Sequence, residues 1–139
     1  MFIDLNSLVL NGRGRITSSR SLGSQDGRWQ SENTYEGTGT FAGIEVAETI
    51  TTAHEEVRPG SVFGIAHARV ATADGNEIAL WRGFGAAVHK EGISELIWRG
   101  FIVMASSTPK FSQYDGAILE SLIRVVDDGT VIAQASHWR

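Results

Sequence analysis

The stretch that decides the fold runs from residue 78 to residue 104 and reads nearly the same way twice. Its first half is Ile78-Ala-Leu-Trp-Arg-Gly-Phe-Gly-Ala-Ala-Val88, and its second half is Ile93-Ser-Glu-Leu-Ile-Trp-Arg-Gly-Phe-Ile-Val-Met104. Both halves are rich in β-branched and aromatic residues, and the break between them, Lys90-Glu91-Gly92, contains a glycine suited to a turn. The stretch therefore predicts a β-hairpin at the centre of an all-β domain.

The flanking sequence continues the same period-two alternation. Further strands are predicted at residues 11–22, 29–41, 43–57, 62–72, 117–126 and 131–138. Most are joined by short turns, of which Asp74-Gly75 is the strongest because it readily supplies positive φ. One helical turn is predicted between Thr108 and Asp115, with Thr108 as its cap and Pro109 at the first helical position. This pattern predicts a closed antiparallel eight-stranded up-and-down barrel, with a sandwich as the alternative, since closure removes exposed edges.

The composition limits the classes of function. The chain has 139 residues, 42% of them hydrophobic and 20% charged, which suits one globular domain over residues 1–139 with residues 1–10 as an N-terminal arm. A net charge of −4 argues against a nucleic acid or an anionic membrane as partner. Cysteine is absent, so thiol catalysis and thiolate metal sites are excluded. Residues 1–10 show neither a signal peptide nor a membrane span, and a cytoplasmic location is expected.

Several motifs together resemble a known family. They are Thr72-Ala-Asp-Gly75 leading into Trp81-Arg-Gly-Phe-Gly85, then Trp98-Arg-Gly100, Ser106-Ser-Thr-Pro-Lys110, Asp115-Gly116 and His137-Trp138-Arg139. In these the chain, from about Tyr35 onward, resembles small bacterial proteins whose fold is similar to the allene oxide cyclase and dirigent barrels. The resemblance implies an oligomeric eight-stranded barrel with a cavity for a small apolar ligand. Catalytic residues of the plant cyclases find no counterpart here, so the resemblance concerns fold more than reaction.

Glu48 is the candidate catalytic residue. It shares a strand face with Ile44, Val46 and Ile50, which places it inside a barrel. Burying a carboxylate costs several kcal/mol unless it is paired or protonated. Glu48 could therefore act as a general acid or orient a ligand. An equally weighted alternative is a structural carboxylate paired with an internal Arg, Tyr or water.

The candidate ligand-binding residues are apolar or aromatic side chains assigned to the barrel interior: Tyr35, Trp81, Trp98, Met104 and Trp138. Trp81 and Trp98 alternate with glycines on the same strand faces, so large rings lie beside positions that lack a side chain. Such a pattern could leave an apolar pocket. It also suits a barrel filled by interlocking large and small side chains, which small barrels often are.

The opposite faces of the central strands carry Arg82, Phe84, Arg99, Phe101 and Val103. Arginine with aromatic residues is typical of protein interfaces, so these residues are predicted to face outward and to form a homo-oligomer contact. Alternation fixes which residues are opposed but not which set is inside. The competing interpretation therefore places Arg82 and Arg99 in the interior, where they would clamp an anionic ligand.

The four histidines, His54, His67, His89 and His137, lie on different predicted strands without metal-ligand spacing, so neither a metal nor another cofactor is expected. Two functions remain open. The first is a barrel that binds a small apolar molecule, lipid- or polyketide-like, and catalyses its cyclisation or isomerisation without a cofactor. The second is a non-catalytic carrier or a structural oligomer with a filled interior. A cavity of about 300 Å³ or more would favour the first.

Overall fold

The computed structural model describes residues 3–25, 28–88, 95–126 and 128–138. The strands are β1 (Leu8–Gln25), β2 (Arg28–Phe41), β3 (Ile44–Arg58), β4 (Ser61–Ala71), β5 (Ile78–Val88), β6 (Glu95–Ser107), β7 (Ile118–Val126) and β8 (Thr130–His137), with a 3₁₀ helix at Pro109–Tyr114. Each strand pairs antiparallel with the next, and β8 pairs with β1 to close the barrel. The predicted closed, eight-stranded, up-and-down architecture is confirmed. The described part of the chain holds no helix long and apolar enough to cross a membrane.

The first strand begins earlier than predicted. β1 starts at Leu8, and Leu10 pairs with Ala135 of β8. Val9 and Leu10 are buried in the core. The predicted N-terminal arm of residues 1–10 is therefore wrong for its last three residues, which help to close the barrel. The polar side chains that follow in β1 obscure the start of this strand in the sequence.

Thr108 occupies the N-cap position of the 3₁₀ helix and Pro109 its first position, as predicted, but the Thr108 side chain makes no capping hydrogen bond. The Thr108 hydroxyl instead donates to the Glu77 carboxylate and accepts a hydrogen bond of 2.9 Å from the Ile78 backbone N–H. The Thr108 side chain thus joins the helix to the start of β5. The sequence shows that a residue with a hydroxyl group precedes the helix. It does not show that the N–H bonded to this hydroxyl belongs to Ile78, thirty residues earlier.

The central hairpin has the predicted orientation. Trp81 is buried inside the barrel, whereas Arg82, Phe84 and Arg99 are exposed on the outer surface. Phe84 lies opposite Phe101, and the ring centroids are 6.0 Å apart. The competing interpretation, with both arginines inside, is wrong. The predicted break at residues 90–92, and with it His89, lies outside the described residues.

Three glycines lie side by side across the middle strands: Gly64 of β4 pairs with Gly85 of β5, which pairs with Gly100 of β6. Here the strands approach so closely that a Cβ on Gly100 would lie 2.0 Å from the Phe84 carbonyl oxygen. Only glycine fits such an approach. Along this row the barrel wall therefore consists of backbone without side chains.

Candidate functional site

One half of the barrel interior is filled with side chains. Phe111 from the 3₁₀ helix is fully buried there and packs edge-on against Phe41, with 5.1 Å between ring centroids. Val70, Met104 and Leu119 belong to the same core cluster. The helix therefore closes this end of the barrel with an aromatic side chain, and the interior space lies in the other half.

That space is a cavity of about 110 Å³. The rings of Tyr35, Trp81 and Trp98 line it, together with aliphatic side chains, namely Ile16, Ile50, Leu96, Ile102, Ile123, Val125 and Val131. Residues from the outer surface, such as Ile65 and Phe84, also border it beside Gly64 and Gly85. Those positions coincide with the thin glycine row, so the cavity is separated there from the outside by little more than backbone.

A short polar wall faces these apolar residues. Asn33, Thr52 and His54 line the cavity from β2 and β3. The His54 Nε2 lies 2.8 Å from the Ser31 hydroxyl on the neighbouring strand, and its ring meets Trp98 edge-on at 5.7 Å between centroids. Burial lowers the pKa of His54, because the imidazolium would lose hydration. His54 is therefore a neutral hydrogen-bonding group at neutral pH.

Glu48 lies deeper in the interior and is 3% exposed. Neither of its carboxylate oxygens has a hydrogen-bond partner among the described residues, and the same holds for the Tyr35 hydroxyl and the Trp81 indole nitrogen. Burial raises the pKa of Glu48 to about 7, and the Trp81 N–H, which lies near the carboxylate but outside hydrogen-bond geometry, limits that rise. Burial, together with the neighbouring Glu48 charge, also raises the pKa of Tyr35, whose hydroxyl keeps its proton.

Tyr35 and Trp81 form a partition between Glu48 and the cavity. A Cβ built on Gly37 would lie 2.3 Å from the Tyr35 hydroxyl, and one on Gly12 would lie 3.5 Å from Glu48 Oε1 and 3.6 Å from that hydroxyl. The Tyr35 hydroxyl therefore points toward the Glu48 side, while its ring lines the cavity. Glu48 itself is not among the described residues that line the cavity. A ligand in the cavity would therefore lie against these two rings, which adjoin Glu48, and not against Glu48 itself.

The other predicted ligand-binding residues fall into three places. Tyr35, Trp81 and Trp98 line the cavity, and Met104 is buried in the interior but away from the cavity lining. The assignment of Trp138 to the interior is wrong: the side chain is 56% exposed and packs edge-on against Phe101 on the outer surface, at 5.8 Å. Alternation from the buried Val131, Ala133 and Ala135 places Trp138 on the opposite, outer face, so its interior assignment went against the pattern of β8.

The polar wall was not predicted from the sequence. His54 and Thr52 share the strand face of Glu48, and Asn33 shares that of Tyr35, so alternation alone already indicates that they face inward. Only strand pairing shows that they meet, since Asn33 lies opposite Thr52, and Ser31 opposite His54. Within the described ranges no three His, Asp or Glu side chains are close enough to share a metal ion.

Comparison with known proteins supports the fold. Neither a protein-family model nor a curated protein matches the sequence. Among solved structures, the chain is similar to the conserved protein of unknown function RPA1785 from Rhodopseudomonas palustris, with a TM-score of 0.66, 13% identity and 93% of each chain covered. A likeness at this identity concerns the barrel alone, and the resemblance to allene oxide cyclase-like proteins stays a prediction.

Proposed function

We propose that this barrel binds a small, uncharged, apolar molecule in the cavity beside Trp98. The observation that carries the proposal is a space within the barrel bordered by three aromatic rings and faced by a short polar wall. Apolar pockets with a few convergent polar groups are the usual form of small-molecule sites. Asn33, Thr52 and His54 would orient the polar edge of the ligand, and the rings of Tyr35, Trp81 and Trp98 would cover its apolar face.

The size of the cavity defines what can enter. At about 110 Å³ it is smaller than the roughly 300 Å³ typical of sites for drug-sized ligands, so its size does not by itself favour ligand binding over a filled barrel. An apolar cavity of about 150 Å³ is known to hold benzene. The cavity therefore suits a small ring or a short branched chain, either as a whole molecule or as the end of a longer one. A complete lipid- or polyketide-like molecule would need to extend beyond it.

The charges around the cavity favour a neutral ligand. Among the described lining residues the one cation is Arg99, which is exposed on the outer surface, and carboxylates are absent. His54 is held neutral by burial. An anion in the cavity would lose its hydration without gaining a counter-charge, which is strongly unfavourable.

The binding proposal is tested with toluene as a neutral probe and benzoate as its anionic counterpart. Ala66, which lines the cavity from β4, is replaced by Leu to occupy the space, and Ala47→Leu on the exposed face of β3 is the matched control. Toluene should raise the melting temperature of the wild type and of Ala47→Leu but not of Ala66→Leu, and benzoate should raise none of them. Equal responses of Ala66→Leu and wild type would place binding elsewhere. No response to toluene in the wild type would favour the filled structural barrel.

A second candidate function is cofactor-independent isomerisation, which the chemistry of Glu48 favours. A carboxyl group with a pKa near neutrality is suited to give and accept a proton at that pH. It would act on a ligand through the Tyr35 hydroxyl, or directly if the partition moves. The test is conversion of 3-cyclohexen-1-one to its conjugated isomer, followed by ultraviolet absorbance. We expect the wild type to convert this ketone and Glu48→Gln to lose the activity while it still binds toluene. Equal rates in the two proteins would favour a non-catalytic carrier.

A further inference from the structure

The outer surface of β3–β6 carries a groove of about 660 Å³. Its floor is the backbone of the glycine row, Gly64, Gly85 and Gly100, and its walls are outward side chains on either side of that row. Phe63, Ile65 and Phe84 in these walls are 55%, 66% and 62% exposed. We call this surface the outer groove. Large apolar side chains this exposed and this close together mark an interaction surface.

Strand pairing orders the walls into two rows. The first row contains, from β3 to β6, Glu55, Phe63, Ala86 and Arg99, and the second contains Ala53, Ile65, Phe84 and Phe101. In the first row Glu55 and Arg99, at the two ends, carry opposite charges. Between them the Phe63 ring lies next to the small Ala86 side chain. In the second row the small Ala53 lies at one end and the large Phe101 ring at the other.

We infer that two copies of this chain associate through the outer groove about a two-fold axis parallel to β4 and β5. Such an axis between these two strands lays β3 of one copy over β6 of the other, and β4 over β5. Phe63 then faces the small Ala86 of the second copy, and Phe101 faces its Ala53. Bulk meets space in the first row and at the ends of the second, while the centre of the second row brings Ile65 of one copy into apolar contact with Phe84 of the other.

The charges support the same arrangement. Glu55 of one copy would face Arg99 of the other, and the symmetry supplies this pair twice. Glu55 accepts a hydrogen bond from the Gln30 side chain at 3.4 Å, which holds its carboxylate at the groove. Because a barrel surface is convex, β3 and β6 lie farther from the second copy than β4 and β5 do. Long charged side chains suit this outer position, and apolar ones suit the centre.

Charge reversal provides the test, with dimer dissociation measured by analytical ultracentrifugation. Glu55→Arg alone and Arg99→Glu alone each place like charges opposite each other twice, and each should raise the dimer Kd by on the order of tenfold or more. The double variant reverses both members and should recover wild-type association. An equimolar mixture of the two single variants should form a heterodimer more tightly than either variant forms a homodimer, because every cross-copy pair is then complementary.

The mixture distinguishes a contact between copies from a contact within one chain. If Glu55 and Arg99 acted on each other within one chain, the double variant would recover association but the mixture of single variants would not. Circular dichroism checks that each variant keeps its β-barrel. The inference is overturned if the wild type is monomeric at about 100 μM, or if both single variants associate as the wild type does, or if mixing gives no heterodimer. The dimer face does not depend on the ligand proposal, because toluene binding in the inner cavity is measured separately.

Discussion

Replacing Glu48 by Gln should stabilise the protein above neutral pH and leave it unchanged in acid. Glu48 is 3% exposed, and its oxygens have no hydrogen-bond partner among the described residues. Its ionised form is therefore costly in the folded protein. Gln has the same shape as a protonated Glu and carries no charge, so the substitution removes the cost of ionisation without opening a cavity.

The pKa shift of Glu48 determines the size of the expected stability difference. Burial raises the pKa of Glu48 from 4.5 to about 7, and each unit corresponds to about 1.36 kcal/mol, giving about 3 kcal/mol in total. The folded state then holds its proton more tightly than the unfolded state does. Stability from this group is complete below pH 4.5, falls as the pH rises, and is lost above pH 7. Glu48→Gln should thus match the wild type near pH 4.5 and exceed it by about 3 kcal/mol at pH 8.

The assay is urea unfolding at half-unit pH steps from 4.5 to 8, followed by tryptophan fluorescence. Only the difference between variant and wild type is used, because the lowered pKa of His54 adds a dependence of the opposite sign, with stability lost as the pH falls. Glu45→Gln, exposed on the same strand, is the matched control for the same change of side chain at the surface. A Glu48→Gln variant that is less stable than wild type by 1–3 kcal/mol at pH 8 would refute the reasoning, since such a loss would mean that Glu48 is held by a partner.

Two further predictions concern stability and are checked by the same unfolding assay. Thr108→Val removes the hydroxyl that bonds Glu77 and Ile78 and should cost about 1–2 kcal/mol; a change as small as that of Thr49→Val, exposed on β3, would contradict this. Gly100→Ala places its Cβ against a backbone oxygen that cannot move aside, and should cost about 3 kcal/mol or more. In Gly64→Ala the nearest atoms to the new Cβ are side-chain atoms at 3.2 Å, so this variant should lose less stability than Gly100→Ala. Equal losses would mean that the backbone of the whole glycine row shifts together.

The amino-acid sequence by itself determined the strands and the side of the barrel wall on which most side chains lie. Alternation has a period of two, so once a turn such as that at Gly75, with its φ of +74°, is recognised, every residue of the next strand is assigned to one face or the other. This is why Glu48, Trp81 and Arg99 were placed correctly from sequence. The errors were at Trp138, whose interior assignment went against the alternation of β8, and at Leu8 to Leu10, where the strand began earlier than the pattern showed.

Only the tertiary structure decided which of these residues meet. The row of Gly64, Gly85 and Gly100, the pairing of Ser31 with His54, and the partition that separates Glu48 from the cavity all depend on the register between strands and on side-chain direction. Register is a property of pairs of strands far apart in the chain, whereas alternation is a property of one strand alone. The volume of the cavity likewise depends on how rings from several strands fill a shared space, and no single strand carries that information.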